Sequence, residues 1–329
     1  MLPTPSISRV PPSLTLPPPP PAAPTTARRR MRAAVSAVRA ASASSSSRIS
    51  REEAVARMPP LPHRDVMLAV AGEAEARLGS RLLPSEVPAD VAWFGNAAGD
   101  AVGSVDVRRG APGSSIDFML EAWFHRELPG GGGGGGGAID ITALIVNLNG
   151  ATDAPHFVLE FIQGGPASLI VLLDLLPRRD LPLHPSYIDR YYAATGLDAR
   201  RRGFLDGIPQ ARPYVSSSLL IRSLWSPTAV VADVQCGEGG APALEGIVRG
   251  QLAATATDVL GVWLEHCVVG AGGAAPTPAP EEERQRLVAR DRKVATELVL
   301  NLAANLPRMF DADVADRVVA EIGKAFMGN

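Results

Sequence analysis

SIDFMLEAWFHREL at 115–128 and AIDITALIVNL at 138–148 are the stretches that decide the fold. Apolar and polar residues alternate along each of them with a period close to two, which predicts two long strands. HFVLEFIQ at 156–163 and SLIVLLDLL at 168–176 follow at hairpin distance, and this spacing predicts an antiparallel meander of four strands. Several of the segments are apolar on both alternations, as in a sheet that is covered on both faces.

Helical patterns lie on both sides of this strand-rich centre. Helices on both flanks of a central antiparallel sheet favour an α/β/α sandwich of the α+β class. The other predicted elements are helices at about 64–82, 186–195, 242–268, 281–304 and 311–326, and strands at 214–225 and 228–234.

The N-terminal segment 1–51 has the composition of a transit peptide. It contains eight arginines, many Ser, Ala and Pro residues, and no Asp or Glu, since the first acid is Glu52. The Ala- and Ser-rich character favours import into the chloroplast stroma, and additional targeting to mitochondria stays open. A basic arm that binds nucleic acid is the alternative, which the absence of lysines and aromatic residues disfavours. Residues 52–329 are expected to form one domain.

The charge of the chain changes when this segment is set aside. The whole sequence has 32 basic and 34 acidic residues, and without the eight arginines the net charge falls from −2 to −10. An acidic protein of this kind is a poor general binder of nucleic acid, because phosphate contacts need clustered Lys and Arg. No apolar run approaches the roughly 20 residues that span a bilayer, so we expect no transmembrane segment.

The sequence contains no pattern typical of a metal or nucleotide cofactor. Cys236 and Cys267 lie far apart and cannot supply the four ligands of a zinc or iron–sulfur site. The glycine run at 130–137 is uniform and leads into a strand, unlike a phosphate-binding loop, which leads into a helix. We interpret it as a flexible hairpin connection, and the Gly/Ala/Pro segment 270–280 as a flexible linker.

Glu160 interrupts an apolar strand, because the residues around it in FVLEFI at 157–162 are apolar on both alternations. An unpaired charge in a strand buried on both faces is unfavourable by several kcal/mol, so the carboxyl group should find a partner or keep its proton through a raised pKa. A salt bridge to a helix over the sheet is the structural alternative to a functional role.

Asp291 occupies an apolar position of the helix predicted at 281–304. Leu287, Val294 and Leu298 define the buried stripe, and Asp291 fills the place four residues after Leu287. A functional role and a structural ion pair both remain open. The basic neighbours along the helix are Arg290, Arg292 and Lys293.

One face of the predicted strand 214–225 has the character of a pocket wall. Ser216, Ser218, Leu220 and Arg222 share that face by parity. Small hydroxyl groups, one apolar side chain and an arginine suit a flat apolar ligand that carries carboxylates. A strand surface that faces solvent is the alternative.

Positive charge is concentrated in one third of this acidic chain. Such a patch could steer an acidic partner protein through complementary fields, or it could simply be solvated. The arginines concerned are Arg178, Arg179, Arg200, Arg201, Arg202 and Arg212.

Long and unusual strings of residues give the chain a resemblance to the red chlorophyll catabolite reductases, plastid enzymes related to the ferredoxin-dependent bilin reductases. The resemblance covers most of residues 60–326 in colinear order. It is carried by GSSIDFMLEAWFH at 113–125, ITALIVNLN at 141–149, TDAPHFVLEFIQ at 152–163, LDLLPRRDLPLHPSYIDRYY at 173–192, PYVSSSLLIRSLWSPTA at 213–229, VWLEHC at 262–267 and LPRMF at 306–310.

The resemblance implies a homodimeric α/β/α sandwich that reduces red chlorophyll catabolite, an open-chain tetrapyrrole, to primary fluorescent chlorophyll catabolite. It implies that two electrons come from reduced ferredoxin, that no flavin, nicotinamide or metal is bound, and that other enzymes of chlorophyll breakdown are possible partners. The acidic pair of the family falls on Glu160 and Asp291, which are then expected to donate or relay protons. The rival functions are a bilin reductase that makes phytochrome chromophores and a noncatalytic tetrapyrrole carrier.

Overall fold

An eight-stranded antiparallel sheet lies at the centre of the structure, a computed structural model that describes residues 49–59, 61–128, 137–270 and 280–328. The strands of this part of the chain follow the order β1-β2-β3-β4-β5-β6-β8-β7. Their bounds are Phe94–Gly95 (β1), Ala101–Arg109 (β2), Ile116–Glu127 (β3), Ala138–Leu148 (β4), His156–Gly165 (β5), Ser168–Leu176 (β6), Ala211–Pro213 (β7) and Val230–Gln235 (β8).

Parts of three predicted segments lie outside the described residues. They are residues 1–48 of the proposed transit peptide, residues 130–136 of the glycine run and residues 271–279 of the proposed linker. The last residue of the predicted transit peptide belongs to the folded part, because Arg51 begins a helix and pairs with Glu121 of β3 at 3.3 Å.

The predicted meander is confirmed by strands β3 to β6, whose bounds agree with the sequence pattern to within two residues. Each neighbouring pair is antiparallel, and β5 and β6 form a hairpin closed at Gly165 and Ser168. Strand β8, predicted at 228–234, is also confirmed and pairs with β6.

Strand β2 is absent from the sequence prediction. Its inward positions include Gly103, where a side chain would clash with the ring of Phe94, so glycine occupies one of the apolar positions that would reveal the alternation. The strand nevertheless pairs with β3 along its whole length, from Ala101 to Arg109.

The helices cluster at the two ends of the chain and between β6 and β8. The predicted helices are all confirmed, and α4, α7 and α8 each continue into a π-helical turn. Their bounds are Arg51–Arg57 (α1), Arg64–Leu78 (α2), Ala89–Ala92 (α3), Pro185–Ile188 (α4), Leu197–Gly207 (α5), Leu219–Leu224 (α6), Gly240–Ile247 (α7), Ala253–Trp263 (α8), Glu281–Asn305 (α9) and Ala312–Met327 (α10).

The strand predicted at 214–225 is wrong. Strand β7 ends at Pro213, and one further ladder hydrogen bond follows it, from the Tyr214 N–H to the Val231 carbonyl group of β8 at 3.0 Å. After an extended segment the chain turns into helix α6, and the Ser218 side chain caps it by accepting a hydrogen bond from the Ile221 N–H at 3.3 Å. Since the segment is helical, the parity argument for a common strand face no longer applies.

The sheet has two unlike faces. On β5, Phe157, Leu159 and Phe161 point to the side called here the core face, whereas Glu160 and Ile162 point to the opposite side, called here the cleft face. The three core-face residues are completely buried. Helices α2, α4, α5 and α8 pack on this face, where the ring of Trp263 lies 5.7 Å from that of Phe157.

The cleft face is covered by C-terminal helices. Helix α10 packs over β2 and β3, with Val318 and Ile322 in one cluster with Val105 and Phe118. Helices α6 and α9 cover the strands further along the sheet. Helices therefore lie on both faces of one antiparallel sheet, which confirms the α/β/α sandwich of the α+β class.

One continuous helical stretch, Gly240–Val269, is long and apolar enough to cross a membrane by length and composition alone. Half of its most apolar window is buried inside the molecule. Leu260 and Trp263 within it are fully buried in the cluster on the core face. The apolar residues of this stretch therefore pack against the sheet.

Candidate functional site

The region between the cleft face of the sheet and helices α6 and α9 is called the cleft here. On β4, the alternate residues Ile141, Ala143 and Ile145 are half-buried, whereas Leu144 and Val146 on the core face are completely buried. The apolar side chains of the cleft face are therefore only partly covered. An apolar surface of this kind between two elements suits a flat apolar ligand.

Helix α9 forms the other wall. Of its 25 residues only Leu287 and Ala295 are buried. Val294 packs with Ile221 and Trp225 of the α6 region against buried residues of β5 and β6. In the apolar stripe predicted for this helix, Leu287 is therefore buried, whereas Val294 and Leu298 are only partly covered.

Glu160 lies on the floor of the cleft. Its neighbours across the sheet are Ala143 on β4 and Leu172 on β6, so apolar residues flank it on both sides. Within the described residues, the Glu160 carboxyl group forms no hydrogen bond and no ion pair. The alternative of a salt bridge to an overlying helix is therefore wrong. Burial raises the pKa of Glu160 to about 7.

Tyr214 lies near Glu160 and belongs to the extended segment before α6. Burial first, and then the negative charge of Glu160, raise the pKa of Tyr214. The phenol group therefore keeps its proton next to this acid. Strand β8 contributes to the same region, because its Val231 is the cross-strand neighbour of Leu172.

Asp291 has close partners. Its Oδ2 accepts hydrogen bonds from Arg178 Nη2 at 2.6 Å and from Arg178 Nε at 2.9 Å, and its Oδ1 lies 3.4 Å from His156 Nε2. Burial alone would raise the pKa of Asp291, but His156 and Arg178 lower it to about 2. Asp291 is therefore an anion in a buried ion pair, because its partners outweigh burial.

His156 faces Asp291 as a neutral ring. Burial, followed by the charge of Arg178, lowers the pKa of this histidine. The Leu148 N–H donates to His156 Nδ1 at 3.0 Å, so the ring proton is on Nε2, the atom nearest Asp291. Sequence reasoning missed this histidine and Arg178 as partners of Asp291.

Arg178 is buried, so its place in the predicted arginine patch that would steer an acidic partner protein is wrong. Its side chain also donates to the carbonyl groups of Asn149 at 3.0 Å and Thr152 at 2.6 Å, and only 1% of the residue is exposed. It ties the loop after β4 to helix α9. The buried guanidinium group is a structural partner for the Asp291 carboxylate.

Glu160 and Asp291 belong to the same cleft but do not touch. Asp291 contacts His156, which precedes Glu160 on β5 by four residues and points to the same face. At roughly 3.3 Å per residue, these two positions of the strand are about 13 Å apart. The two acids would therefore face different parts of an extended ligand.

A groove of about 250 Å³ opens at the edge of the sheet next to this cleft. Ser216 and Arg222, two of the four residues of the predicted pocket wall, line it together with Arg201, Tyr214 and Trp225. Val231 also lines it and connects the groove to the row of Glu160. Within the described residues, the guanidinium groups of Arg201 and Arg222 have no hydrogen-bond or ion-pair partner.

The other predicted pocket residues have different roles. Ser218 caps α6, and Leu220 is 37% exposed on that helix. Neither of these two residues lines the groove. Two of the four residues therefore line a groove, although the strand geometry behind the prediction is not the one that the chain adopts.

The remaining arginines of the predicted patch differ in how they are paired. Arg179 binds Asp153 at 2.7 Å and also Glu283, and Arg200 lies 3.5 Å from Asp258. Arg201 is the member of the patch that faces the groove with its charge uncompensated.

Among residues 49–59, 61–128, 137–270 and 280–328, no group of three or more His, Cys, Asp or Glu side chains is arranged to hold an ion. Both cysteines, Cys236 and Cys267, are buried free thiols.

The family model described as red chlorophyll catabolite reductase (RCC reductase) matches residues 62–324. The chain belongs to the red chlorophyll catabolite reductase family. A curated relative from Oryza sativa subsp. japonica, red chlorophyll catabolite reductase 1, chloroplastic, is 55% identical over 82% of this chain and 79% of its own length. The chloroplastic red chlorophyll catabolite reductase of Arabidopsis thaliana is 39% identical over 80% of each chain.

A solved structure shares the fold of this reductase family member. Phytochromobilin synthase from tomato, in complex with biliverdin, superposes with a TM-score of 0.59 over 81% of this chain and 85% of its own chain. The two sequences are 14% identical, so the likeness concerns the fold alone. It confirms the expected relation to the bilin reductase fold.

Family membership confirms the coarser part of the predicted function. The chain is a reductase with a role in chlorophyll catabolism, as its relatives' names indicate. Two of these relatives are named chloroplastic, which supports the chloroplast as the compartment.

Proposed function

We propose that this reductase transfers two electrons from reduced ferredoxin to red chlorophyll catabolite and yields primary fluorescent chlorophyll catabolite. The observation that carries the proposal is Glu160, an acid without an ion-pair partner in the described chain, on the floor of an apolar cleft. Its pKa of about 7 leaves a large fraction protonated at neutral pH. A group whose pKa lies near the working pH is well suited to general acid catalysis.

The tetrapyrrole is expected to lie along the cleft face, beneath α9. Its apolar rings would cover half-buried side chains such as Ile141 and Ile162, whose exposure is otherwise unfavourable. Arg222 in the adjoining groove can hold a propionate carboxylate, because guanidinium groups form two parallel hydrogen bonds with a carboxylate. We propose Ser216, Ser218 and Leu220 as further contacts around this end of the ligand.

Glu160 donates a proton to the one-electron-reduced tetrapyrrole. Asp291, held as an anion by Arg178, is proposed to accept a hydrogen bond from a pyrrole N–H and so to orient the ligand. The overall reaction takes up two electrons and two protons. The electrons arrive from outside the protein, one at a time.

Ferredoxin, an acidic protein, is proposed to dock at the groove edge. Arg201 lines the groove there, and Arg200 and Arg202 precede and follow it on α5. Arg179, paired with Asp153 and Glu283, contributes less to an outward-facing patch. Complementary charge would bring the electron donor close to the open end of the cleft. A homodimer in the chloroplast stroma remains part of the proposal.

An anaerobic assay with red chlorophyll catabolite, ferredoxin and a ferredoxin-reducing system tests the function. We expect the red pigment to bleach and a blue-fluorescent product to form, and Glu160→Gln to abolish this turnover while it preserves pigment binding. Glu297→Gln, at an exposed position of α9, is the matched control and should behave as wild type.

Other outcomes of this assay favour the rival functions. Reduction of biliverdin alone would indicate a bilin reductase. Tight pigment binding without ferredoxin-dependent bleaching would indicate a carrier. Normal turnover by Glu160→Gln would show that this residue is not the acid.

A further inference from the structure

A two-electron reduction of this kind needs two protons, and the structure provides only one from the predicted pair. Glu160 can carry a proton at neutral pH, but Asp291 is ionised and engaged with Arg178. A second proton source is therefore required in or beside the cleft.

We propose that Asp174 is this second source, and that it delivers its proton to the cleft through the hydroxyl group of Ser226. The inference rests on the proposed reductase function and adds a residue that the predicted acidic pair does not include.

Asp174 lies on β6 and points to the cleft face. Its cross-strand neighbour is Val158, and the next cleft-face residue of β6, Leu172, is the neighbour of Glu160. Asp174 and Glu160 are therefore diagonal neighbours on one face of two adjacent strands. Such positions are separated by roughly 7–8 Å.

The surroundings of Asp174 favour a protonated carboxyl group. Only 2% of the residue is exposed, and in the described part of the chain no Lys, Arg or His forms an ion pair with it. Its partners are neutral, since Ser226 donates through its N–H at 2.7 Å and through its Oγ at 2.5 Å. Burial raises the pKa of Asp174 to about 7, despite the hydrogen bonds from Ser226.

Ser226 connects this buried acid with the groove. It lines the groove beside Trp225 and Arg222. Its Oγ also accepts a hydrogen bond from the Thr228 N–H at 3.1 Å and lies 3.0 Å from Thr228 Oγ1. A hydroxyl group both accepts and donates, so it can pass a proton on without changing its own protonation state.

Asp174 and Glu160 each supply one proton to the proposed reduction. When Asp174 is protonated, its O–H donates to Ser226 Oγ, and the Ser226 O–H turns towards the groove. As Ser226 gives its proton to the reduced tetrapyrrole, it takes the proton of Asp174, which becomes a carboxylate. Glu160 supplies the other proton, ferredoxin supplies both electrons, and both acids recover their protons from solvent after the product leaves.

A purely structural role of Asp174 would be met equally well by asparagine. Its side-chain oxygen can accept the Ser226 N–H, and its amide N–H₂ can donate to Ser226 Oγ. Only the ability to release a proton is lost. Asp174→Asn therefore separates proton delivery from the architecture of the loop after α6.

The test compares the full-length wild type with Asp174→Asn, Ser226→Ala and the control Ser223→Ala in the anaerobic assay. Ser223 is an exposed serine of α6 whose hydroxyl donates to the Leu220 carbonyl group. We expect Asp174→Asn to lower kcat by about 100-fold or more, the range typical of a lost acid, with pigment affinity and Tm unchanged. Ser226→Ala should also lower kcat, and Ser223→Ala should not.

A spectroscopic readout distinguishes proton delivery from a structural effect. With the second proton withheld, the one-electron-reduced pigment should persist, and electron paramagnetic resonance should show a longer-lived radical in Asp174→Asn than in wild type. A merely structural role would not prolong this signal.

The possible failures of the two proposals are distinguishable. If wild type does not reduce the pigment, the proposed function fails. If wild type reduces it and both variants keep the wild-type kcat, or lose pigment binding together with Tm, the role of Asp174 is wrong and the function stands. Should Asp174→Asn not fold, Ser226→Ala decides by the same criteria.

Discussion

Two carboxyl groups of the same cleft differ in ionisation because of their partners, although both are largely shielded from solvent. Glu160 has apolar cross-strand neighbours, and burial raises its pKa to about 7. Asp291 has Arg178 and His156 beside it, and its pKa falls to about 2. At the scale of single residues, an acid in an apolar pattern is therefore a reason to look for a site, whereas its role follows from the side chains that approach it.

The raised pKa of Glu160 predicts a pH dependence of stability. In the unfolded chain this group titrates near 4.5, and in the folded protein near 7, so the stabilisation by its bound proton is complete below the lower value and is lost as pH rises through the higher one. Glu160→Gln removes this pH-dependent contribution to the free energy of unfolding. Urea unfolding should show that the variant is more stable than wild type above pH 7, by up to about 3 kcal/mol.

The extra stability of Glu160→Gln should disappear below about pH 4.5, the pKa of Glu160 in the unfolded chain. Because Asp174 titrates in both proteins, the difference between wild type and variant isolates Glu160. Glu297→Gln serves as the control and should follow the wild-type curve. Parallel curves for Glu160→Gln and wild type from acid to neutral pH would contradict the raised pKa.

Loss of Arg178 should destabilise the protein strongly at neutral pH. Arg178→Met leaves the Asp291 carboxylate without its main partner, and breaking a buried pair in this way costs about 3–5 kcal/mol. The contribution of this carboxylate is present above pH 3.8 and is lost as pH falls through about 2, so the difference from wild type should narrow in acid.

Arg286→Met is the matched control, because its pair with Glu282 on α9 is about 78% exposed and should be worth less than about 1 kcal/mol. Urea unfolding at pH 7 checks both variants. If Arg178→Met and Arg286→Met lost equal amounts of unfolding free energy, the Arg178–Asp291 pair would contribute no more than a surface ion pair.

At the scale of elements, helix α6 shows how one capping residue changes the meaning of a sequence pattern. The alternation in 214–225 favours a strand, but β7 ends at Pro213, and Ser218 caps a helix a few residues later. The helix then places Ile221 and Trp225 against Val294 of α9. This wall of the cleft therefore depends on the formation of a helix, and not a strand, at Leu219–Leu224.

Ser218→Ala should therefore cost about 1 kcal/mol of stability, the usual effect of a lost N-cap. The change should also weaken pigment binding, since α6 forms part of the cleft. Thermal unfolding and pigment titration measure the two effects. Ser223→Ala on the same helix removes a hydroxyl without a cap and should change neither, so a similar loss in both variants would exclude the capping role.

The sequence predicts those elements whose information is local. Strands β3 to β6 are dense in alternating apolar residues, and α9 has an apolar stripe, so both were predictable. Strand β2 was missed because Gly103 leaves a gap that the ring of Phe94 fills. The strand predicted at 214–225 was wrong, because tertiary pairing between strands determines that the sheet ends at Pro213.

The candidate site was predictable only in part for the same reason. The apolar neighbours of Glu160 can be read from the chain, and so can the stripe that contains Asp291. The pair of Asp291 with Arg178 joins residues 113 positions apart, and Asp174 becomes part of the site only through the register of β5 with β6. No short sequence pattern contains these contacts.

At the scale of the whole molecule, an acidic chain presents a basic groove edge next to its cleft. Arg201 faces this groove, and Arg212 is exposed on the neighbouring strand β7. Attraction between these charges and an acidic electron donor is screened within about 8–10 Å at physiological salt. The docking step should therefore depend strongly on ionic strength.

We expect the KM for ferredoxin to rise with added salt, and the double variant Arg201→Gln/Arg212→Gln to have a higher KM at low salt and a weaker salt dependence. Steady-state assays at several salt concentrations measure this. Arg77→Gln, an exposed arginine of α2 on the opposite side of the sheet, is the control. A salt-independent KM for wild type would exclude electrostatic docking.

The shortness of the two outermost strands has a consequence for how this protein survives at high concentration. Strand β1 has two residues, and β7 has three and ends at Pro213. Long unpaired edges act as templates on which strands of other chains add, and so begin aggregation. An open sheet of eight strands thus offers a neighbouring copy very little backbone to pair with, so a folded molecule should resist fibril formation until its outer strands detach.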